Sequence, residues 1–192
     1  MIGRTHTLAA FTALGAVYFA WSPQTMSLAT VLVGLLANQI GGIAPDIDQP
    51  TAPFWRNLPI GGPIGRVVDR LLGGHRFITH SVIGLVLFSA LAHLLLVFLH
   101  PVIPIVNIDL VWAAFMIGML SHLVMDTFTK EGVPWLLPLP IKFGIPPVRS
   151  LRITSGKKIE SFIIMPSLIA VNIIIYATHY SELLLRIHQY IT

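Results

Sequence analysis

FITHSVIGLVLFSALAHLLLVFLHPVIPIVNI, residues 77–108, contains no aspartate, glutamate, lysine or arginine. About 20 mostly apolar residues are enough to cross the hydrocarbon of a bilayer, so one run of this length decides the fold class. Further charge-free runs reach from Thr7 to Pro45, from Leu110 to Met125 and from Ser161 to Ser181. The first is long enough for two crossings and the others for one each. The expected spans are residues 6–21, 26–44, 78–99, 108–128 and 161–180, the first two separated by SPQT at Ser22–Thr25. The fold class is therefore all-α: a polytopic membrane helical bundle of about five transmembrane helices, in one domain spanning residues 1–192.

Composition agrees. The chain is 55% hydrophobic and 10% charged, with a mean hydropathy of +0.80, whereas a soluble domain carries about a quarter charged residues. Residues 6–21 follow Arg4 much as a signal-peptide core follows its basic region. No small-x-small cleavage site comes after them, so they are read as a retained span.

Lysine and arginine placement orients the bundle. With the N-terminus in the cytoplasm, Arg4, Arg56, Arg66, Arg70, Arg76, Lys130, Lys142, Arg149, Arg152, Lys157 and Lys158 all fall inside, leaving Arg186 outside. Both long loops are then cytoplasmic, and the expected location is the cell inner membrane. A pI of about 9.8 is explained by this topology and by attraction to anionic headgroups. No nucleic-acid-binding motif accompanies it. Cysteine is absent, which excludes disulfides and thiolate metal sites.

Ionisable residues in a membrane are costly and point to function. Here they gather at one level. His6 begins the first span, Asp46 and Asp48 in GGIAPDID follow the second, and His75 and His80 in GHRFITHS precede or begin the third. His122 and Asp126 in SHLVMD lie in the last turns of the fourth, and Glu160 begins the fifth. His122 and Asp126 are four apart, so a helix puts them on one face. His75 and His80 are five apart, roughly 140° around a helix, which places His75 in the loop and His80 in the first helical turn. Each element also has a bland reading. The H-x-x-x-D pair can be a capped helix end, Asp46 and Asp48 an Asx turn, the two histidines an interfacial cap with Thr79 and Ser81, His6 a packed core residue, and Glu160 an acid favoured by the helix dipole.

Taken together, these imidazoles and carboxylates suit a divalent metal, Zn²⁺ first and Mn²⁺ second, with Mg²⁺ less suited. So many donors exceed one tetrahedral shell, and two ions are expected. His93, His100, His179 and His188 lie away from this level and are assigned structural or interfacial roles. The C-terminal SELLLRIHQYIT reads as an amphipathic interfacial helix or a frayed end of the fifth span.

RTH, GGIAPDID, HRFITHS and SHLVMDTFTKEGV, in that order over nearly the whole chain, resemble the bacterial and archaeal membrane-bound metal-dependent hydrolases typified by YdjM. The resemblance implies a hydrolase whose metal ligands come from His6, Asp46, Asp48, His75, His80, His122, Asp126 and Glu160. RSLRITSGKKIE, residues 149–160, matches the family's basic segment only loosely. A more distant likeness, to bacterial zinc-dependent phospholipases C, rests on an early histidine, a loop aspartate, a mid-chain histidine and the H-x-x-x-D pair. It implies a polynuclear zinc site acting on a phosphoester.

The function expected is hydrolysis of a membrane-lipid phosphoester at the inner leaflet, by hydroxide generated at the metal. Asp46, Asp48 and His80 are the catalytic candidates. Arg76, Arg149, Arg152 and Lys157 are the phosphate-holding candidates, arginine having a bidentate fork. Phe54 and Trp55, in FWRNLPIGGPIG, suit a headgroup-level anchor. The rival chemistry is lipid ester or amide hydrolysis. The rival class is a divalent-metal transporter, which would place its ligands near the bilayer midplane.

Overall fold

Side-chain caps and prolines set where the helices begin and end. The computed structural model describes residues 1–21, 26–139 and 141–191. In chain order its α-helices are α1 (Gly3–Trp21), α2 (Leu28–Ile43), the short α3 (Pro53–Arg56), α4 (Gly61–Leu71), α5 (Val82–Leu99), α6 (Ile108–Thr127), α7 (Met165–Thr178) and α8 (Tyr180–Ile191). Ser27 caps α2 by accepting from Thr30 N at 3.1 Å. Pro45 disfavours helix in the residue before it, and α2 gives way there to a 3₁₀ turn, Ala44–Asp48. Ser81 caps α5 through Gly84 N at 3.1 Å, and Asn107 caps α6 through Asp109 N and Leu110 N, both at 3.1 Å. A π-helical turn, Glu160–Ile164, leads into α7.

No strand occurs among the described residues. Four segments are long and apolar enough to cross a membrane: Leu28–Asp48, α5, α6 and Glu160–Thr178. Five spans were expected. Helix α1 has 19 residues but is not among the four, because Arg4, His6 and its threonines dilute its apolar character. The separating stretch expected at Ser22–Thr25 lies outside the described residues.

Helix α6 is the hub, packed against α1, α2 and α5. Its buried residues Val111, Ala114, Phe115, Gly118, Met119, His122, Leu123 and Asp126 recur every three or four positions, which is one helical face. That face is small and apolar in the middle of the helix and polar in its last turns. Against α2 the packing is backbone to backbone. A Cβ at Gly41 would stand 2.1 Å from Phe115 O, and one at Gly118 2.1 Å from Asn38 O. Such small-residue contacts are how helices approach where lipid supplies no hydrophobic drive. Asn38 Nδ2 donates to Ala114 O at 3.1 Å across the same seam.

The end of this pair remote from Asp126 is tied by Ser27 Oγ donating to Ile105 O at 2.8 Å and by Asn107 N donating to Thr30 Oγ1 at 2.9 Å. Helix α7 packs on α1, with Asn172 Nδ2 donating to Thr12 Oγ1 at 2.6 Å. Helix α5 buries only Gly84, so most of its apolar surface is left for lipid. After α6, backbone bonds from Lys130 N to Ile153 O at 2.9 Å and from Val133 N to Phe143 O at 2.8 Å fold residues 129–153 back over the helix end.

Candidate metal centre

The 3₁₀ turn after α2, the loop before α5, the first turn of α1 and the last turns of α6 meet at one end of the bundle. Asp48 is fully buried and surrounded by donors. His75 Nδ1 lies 2.8 Å from its Oδ1, Arg76 N donates to Oδ2 at 2.9 Å, and the Thr79 hydroxyl also donates to Oδ2. Asp48 therefore organises the 75–80 loop. Asp46, two residues earlier, faces the other histidines. Its Oδ1 is 3.8 Å from His80 Nε2 and 3.6 Å from His122 Nε2.

The hydrogen bonds fix the histidine tautomers. Gly42 O can only accept, so His122 Nδ1, 2.8 Å away, carries the proton. The Thr79 hydroxyl gives its hydrogen to Asp48, so toward His80 Nδ1, at 2.9 Å, it accepts. Both imidazoles then present bare Nε2 lone pairs, the orientation that outer partners impose on metal-binding histidines. Those two Nε2 atoms lie 3.6 and 3.7 Å from Asp126 Oδ2. His80 Nε2 and His122 Nε2 are buried without a hydrogen-bond partner, while the buried Asp126 Oδ2 is ion-paired with Arg76 Nη2. A buried polar atom left unpaired costs free energy, and one cation between them would satisfy both imidazole nitrogens.

His6 stacks on His122 with ring centroids 3.5 Å apart, its Nε2 3.3 Å from Asp126 Oδ1. The donors form three overlapping groups, each with ligand atoms within 4.8 Å of one another: His6–Asp46–His122, His80–His122–Asp126 and Asp46–Asp48–His75. Asp46 and His122 each belong to two of them. The oxygen and nitrogen donors fit Zn²⁺ or Mn²⁺.

Several expected roles change with the geometry. Glu160 is buried but joins none of these groups, because its two oxygens accept from Ile2 N at 2.8 Å and Gly156 N at 2.6 Å. Arg76 is buried and engaged internally rather than offered to a phosphate. Its Nη2 is 2.5 Å from Asp126 Oδ2, and its Nη1 donates to Thr129 Oγ1 at 2.7 Å. His80 precedes the helix rather than lying in its first turn, because Ser81 is the cap. Trp55 is buried, not an anchor, and donates to Ile47 O at 2.9 Å.

Arg149 and Arg152 line a cavity of about 430 Å³ together with Lys130, Lys142 and Glu131. Arg152 is held by Pro146 O at 2.7 Å and Pro147 O at 2.9 Å. Lys157 is exposed and not among the lining residues. Glu131 Oε2 is 3.5 Å from Arg76 Nε, which connects the cavity to Asp126. The sequence reading missed Lys130 and Lys142 as phosphate-holding candidates, though TKEG, residues 129–132, begins three residues after Asp126. It also missed Thr129 and the Gly42 carbonyl, whose roles carry no composition signal. Among the remaining histidines, His93 meets the edge of Trp112, His179 stacks on Phe19 and His100 is exposed. The side chain of His188 lies outside the described residues.

The model of the YdjM inner membrane protein family matches residues 1–182. The uncharacterised protein YvsG of Bacillus subtilis (strain 168) is 28% identical over 148 residues, covering 76% of this chain and 79% of YvsG. The inner membrane protein YdjM of Escherichia coli (strain K12) is 34% identical over 124 residues, 64% of this chain but 57% of that protein's length. No solved structure matches. The likeness to zinc-dependent phospholipases C finds no support in these comparisons. The chain belongs to the YdjM inner membrane protein family.

Proposed function

We propose that this member of the YdjM family is a metal-dependent hydrolase of a membrane-lipid phosphoester, working at the cytoplasmic end of about five spans in the inner membrane. One observation carries the reading. Two imidazole nitrogens, His80 Nε2 and His122 Nε2, each lie 3.6–3.8 Å from both Asp46 Oδ1 and Asp126 Oδ2, and both nitrogens are buried with no hydrogen-bond partner. His6 and Asp46, with His75 beyond, leave room for a second ion. The cytoplasmic orientation rests on the lysine and arginine bias.

A divalent cation, when bound, supplies Lewis acidity that lowers the pKa of water and stabilises charge on phosphoryl oxygens. The chain's own residues do the rest. Asp48 and Gly42 O hold the His80 and His122 rings in the ligating tautomer. Asp46 is the carboxylate of this set that is partly open to solvent, at 14%, and it takes the proton from the attacking water. Asp48 is too fully hydrogen-bonded for that task. Lys130, Lys142, Arg149 and Arg152 hold the anionic group by charge-assisted hydrogen bonds. This basic cavity favours phosphoester over carboxylic ester or amide as substrate. Clustering of the donors at one end of the bundle argues against a transport path, which needs sites at mid-membrane.

The test is metal content by elemental mass spectrometry on purified wild type, His80→Ala and Asp126→Ala, followed by a phospholipid screen. About two equivalents of zinc or manganese, lost in both variants, are expected, with release of phosphate or headgroup by wild type only. Fatty-acid release instead would make it a deacylase. Wild type that holds no metal and regains none on addition would overturn the proposal.

A further inference from the structure

Helix α4 has three distinct faces. At about 100° per residue, Gly61 and Gly65 lie on one side, Ile60, Ile64, Val67 and Leu71 on a second, and Arg66, Asp69 and Arg70 on a third. The glycine face is packed. A Cβ at Gly61 would fall 1.8 Å from Trp55 O, and one at Gly65 2.9 Å from Trp55 Cγ, so α4 rests on the Trp55 backbone and ring. The second face is a stripe about 60° wide, and none of the described residues covers it. Ile60 is 66% exposed, Val67 56% and Leu71 76%, while neighbouring Phe54 and Leu58 are exposed as well. An uncovered stripe of large aliphatic residues is unfavourable in water.

Its position says what covers it. Helix α4 packs on the 3₁₀ turn that ends the Leu28–Asp48 span, and ten residues after it, counting from Leu71, Ser81 caps the α5 span. It therefore sits where two spans leave the hydrocarbon. Arg56, Arg66 and Arg70 against Asp69 give this segment an excess of positive charge. An apolar stripe flanked by cations, at the membrane boundary, fits a helix lying in the interface with its apolar side about 5–10 Å deep and its arginines among anionic headgroups.

We infer that α4 is an in-plane membrane-binding helix whose occupant is an anionic lipid surface. The consequence is positional. At one end α4 is packed against the turn carrying Asp46 and Asp48. At the other, Gly74 N donates to Asp69 O at 2.8 Å immediately before His75. Embedding α4 fixes the depth of both donor segments, and so puts the centre at headgroup level. This inference does not require the centre to be catalytic.

The chain has no cysteine, so single cysteines can be placed at Ile64, Val67, Leu71, Arg66 and Arg70 and spin-labelled. The full chain is reconstituted into nanodiscs of equal parts phosphatidylglycerol and phosphatidylcholine. Collision rates with oxygen and with a water-soluble nickel chelate are then compared. The expected result is that labels at 64, 67 and 71 favour oxygen, labels at 66 and 70 favour the chelate, and the oxygen preference at 64, 67 and 71 shrinks when Arg66→Gln/Arg70→Gln is added. Chelate access at 64, 67 and 71 equal to that at 66 and 70 would overturn it. So would dipolar broadening between labels on separate copies, which would make the occupant a second chain.

Discussion

Arg76 places its guanidinium 2.5 Å from Asp126 Oδ2, while its own backbone N–H donates to Asp48 at 2.9 Å. One residue thus ties the carboxylate at the end of α6 to the carboxylate after α2. It does so with φ at +60°, a left-handed conformation that is costly for a side-chain-bearing residue. The pair is buried, so removing one partner leaves an uncompensated charge. Arg76→Ala is expected to lower stability by about 3–5 kcal/mol, and Arg76→Lys by less. Thermal unfolding of detergent-solubilised protein measures this, and an Ala variant that melts with wild type would refute the pairing.

Metal retention separates the donors from their buried neighbour. His122→Asn and His80→Ala should lose the metal, because each removes a bare Nε2. Glu160→Gln should keep it at wild-type stoichiometry, since both Glu160 oxygens accept from backbone N–H groups, those of Ile2 and Gly156. Loss of metal in the Glu160 variant would return that residue to the ligand set.

Thr79 is expected to act through His80. Thr79→Val removes the oxygen that accepts from His80 Nδ1 and leaves the ring free to turn. Partners of this kind typically contribute 10–100-fold in metal affinity. Competition against a chelating dye should show a loss of about that size, with stoichiometry restored at saturating metal. An unchanged affinity would mean that Asp48 alone fixes the tautomer.

At Gly41 and Gly118 the α2–α6 seam has no room for a side chain. Gly118→Val should cost at least about 1–3 kcal/mol by overpacking, seen as a lower melting temperature or a smaller monodisperse yield. Gly62→Ala, where a Cβ meets nothing within 4 Å, is the control and should behave as wild type.

Substrate recognition is tested away from the metal. Lys130→Gln combined with Lys142→Gln should raise KM for an anionic phospholipid while metal content stays constant. A fall in kcat alone would remove the cavity from substrate binding.

The sequence by itself determined that the chain lives in a membrane and that its imidazoles and carboxylates gather at one level, because hydropathy and helical period are local properties. It also located the end of α2 at Pro45 and the His122–Asp126 face, both of which follow from a few neighbouring residues. Only the tertiary structure decided what each polar group does. Asp46 and Asp48 have the same chemistry and differ by two positions, yet one is saturated by loop donors and the other faces the histidines. Arg76 read as a phosphate ligand until folding set Asp126 against it. Glu160 read as a metal ligand until Ile2 and Gly156 claimed its oxygens. Hydrogen-bond partners such as the Gly42 carbonyl come from segments distant in the chain, and a backbone oxygen carries no identity that a sequence displays. Membrane-span count shows the same division: α1 is long enough to span, but its small and polar residues serve packing against α2, α6 and α7, which composition alone does not distinguish from lipid exposure.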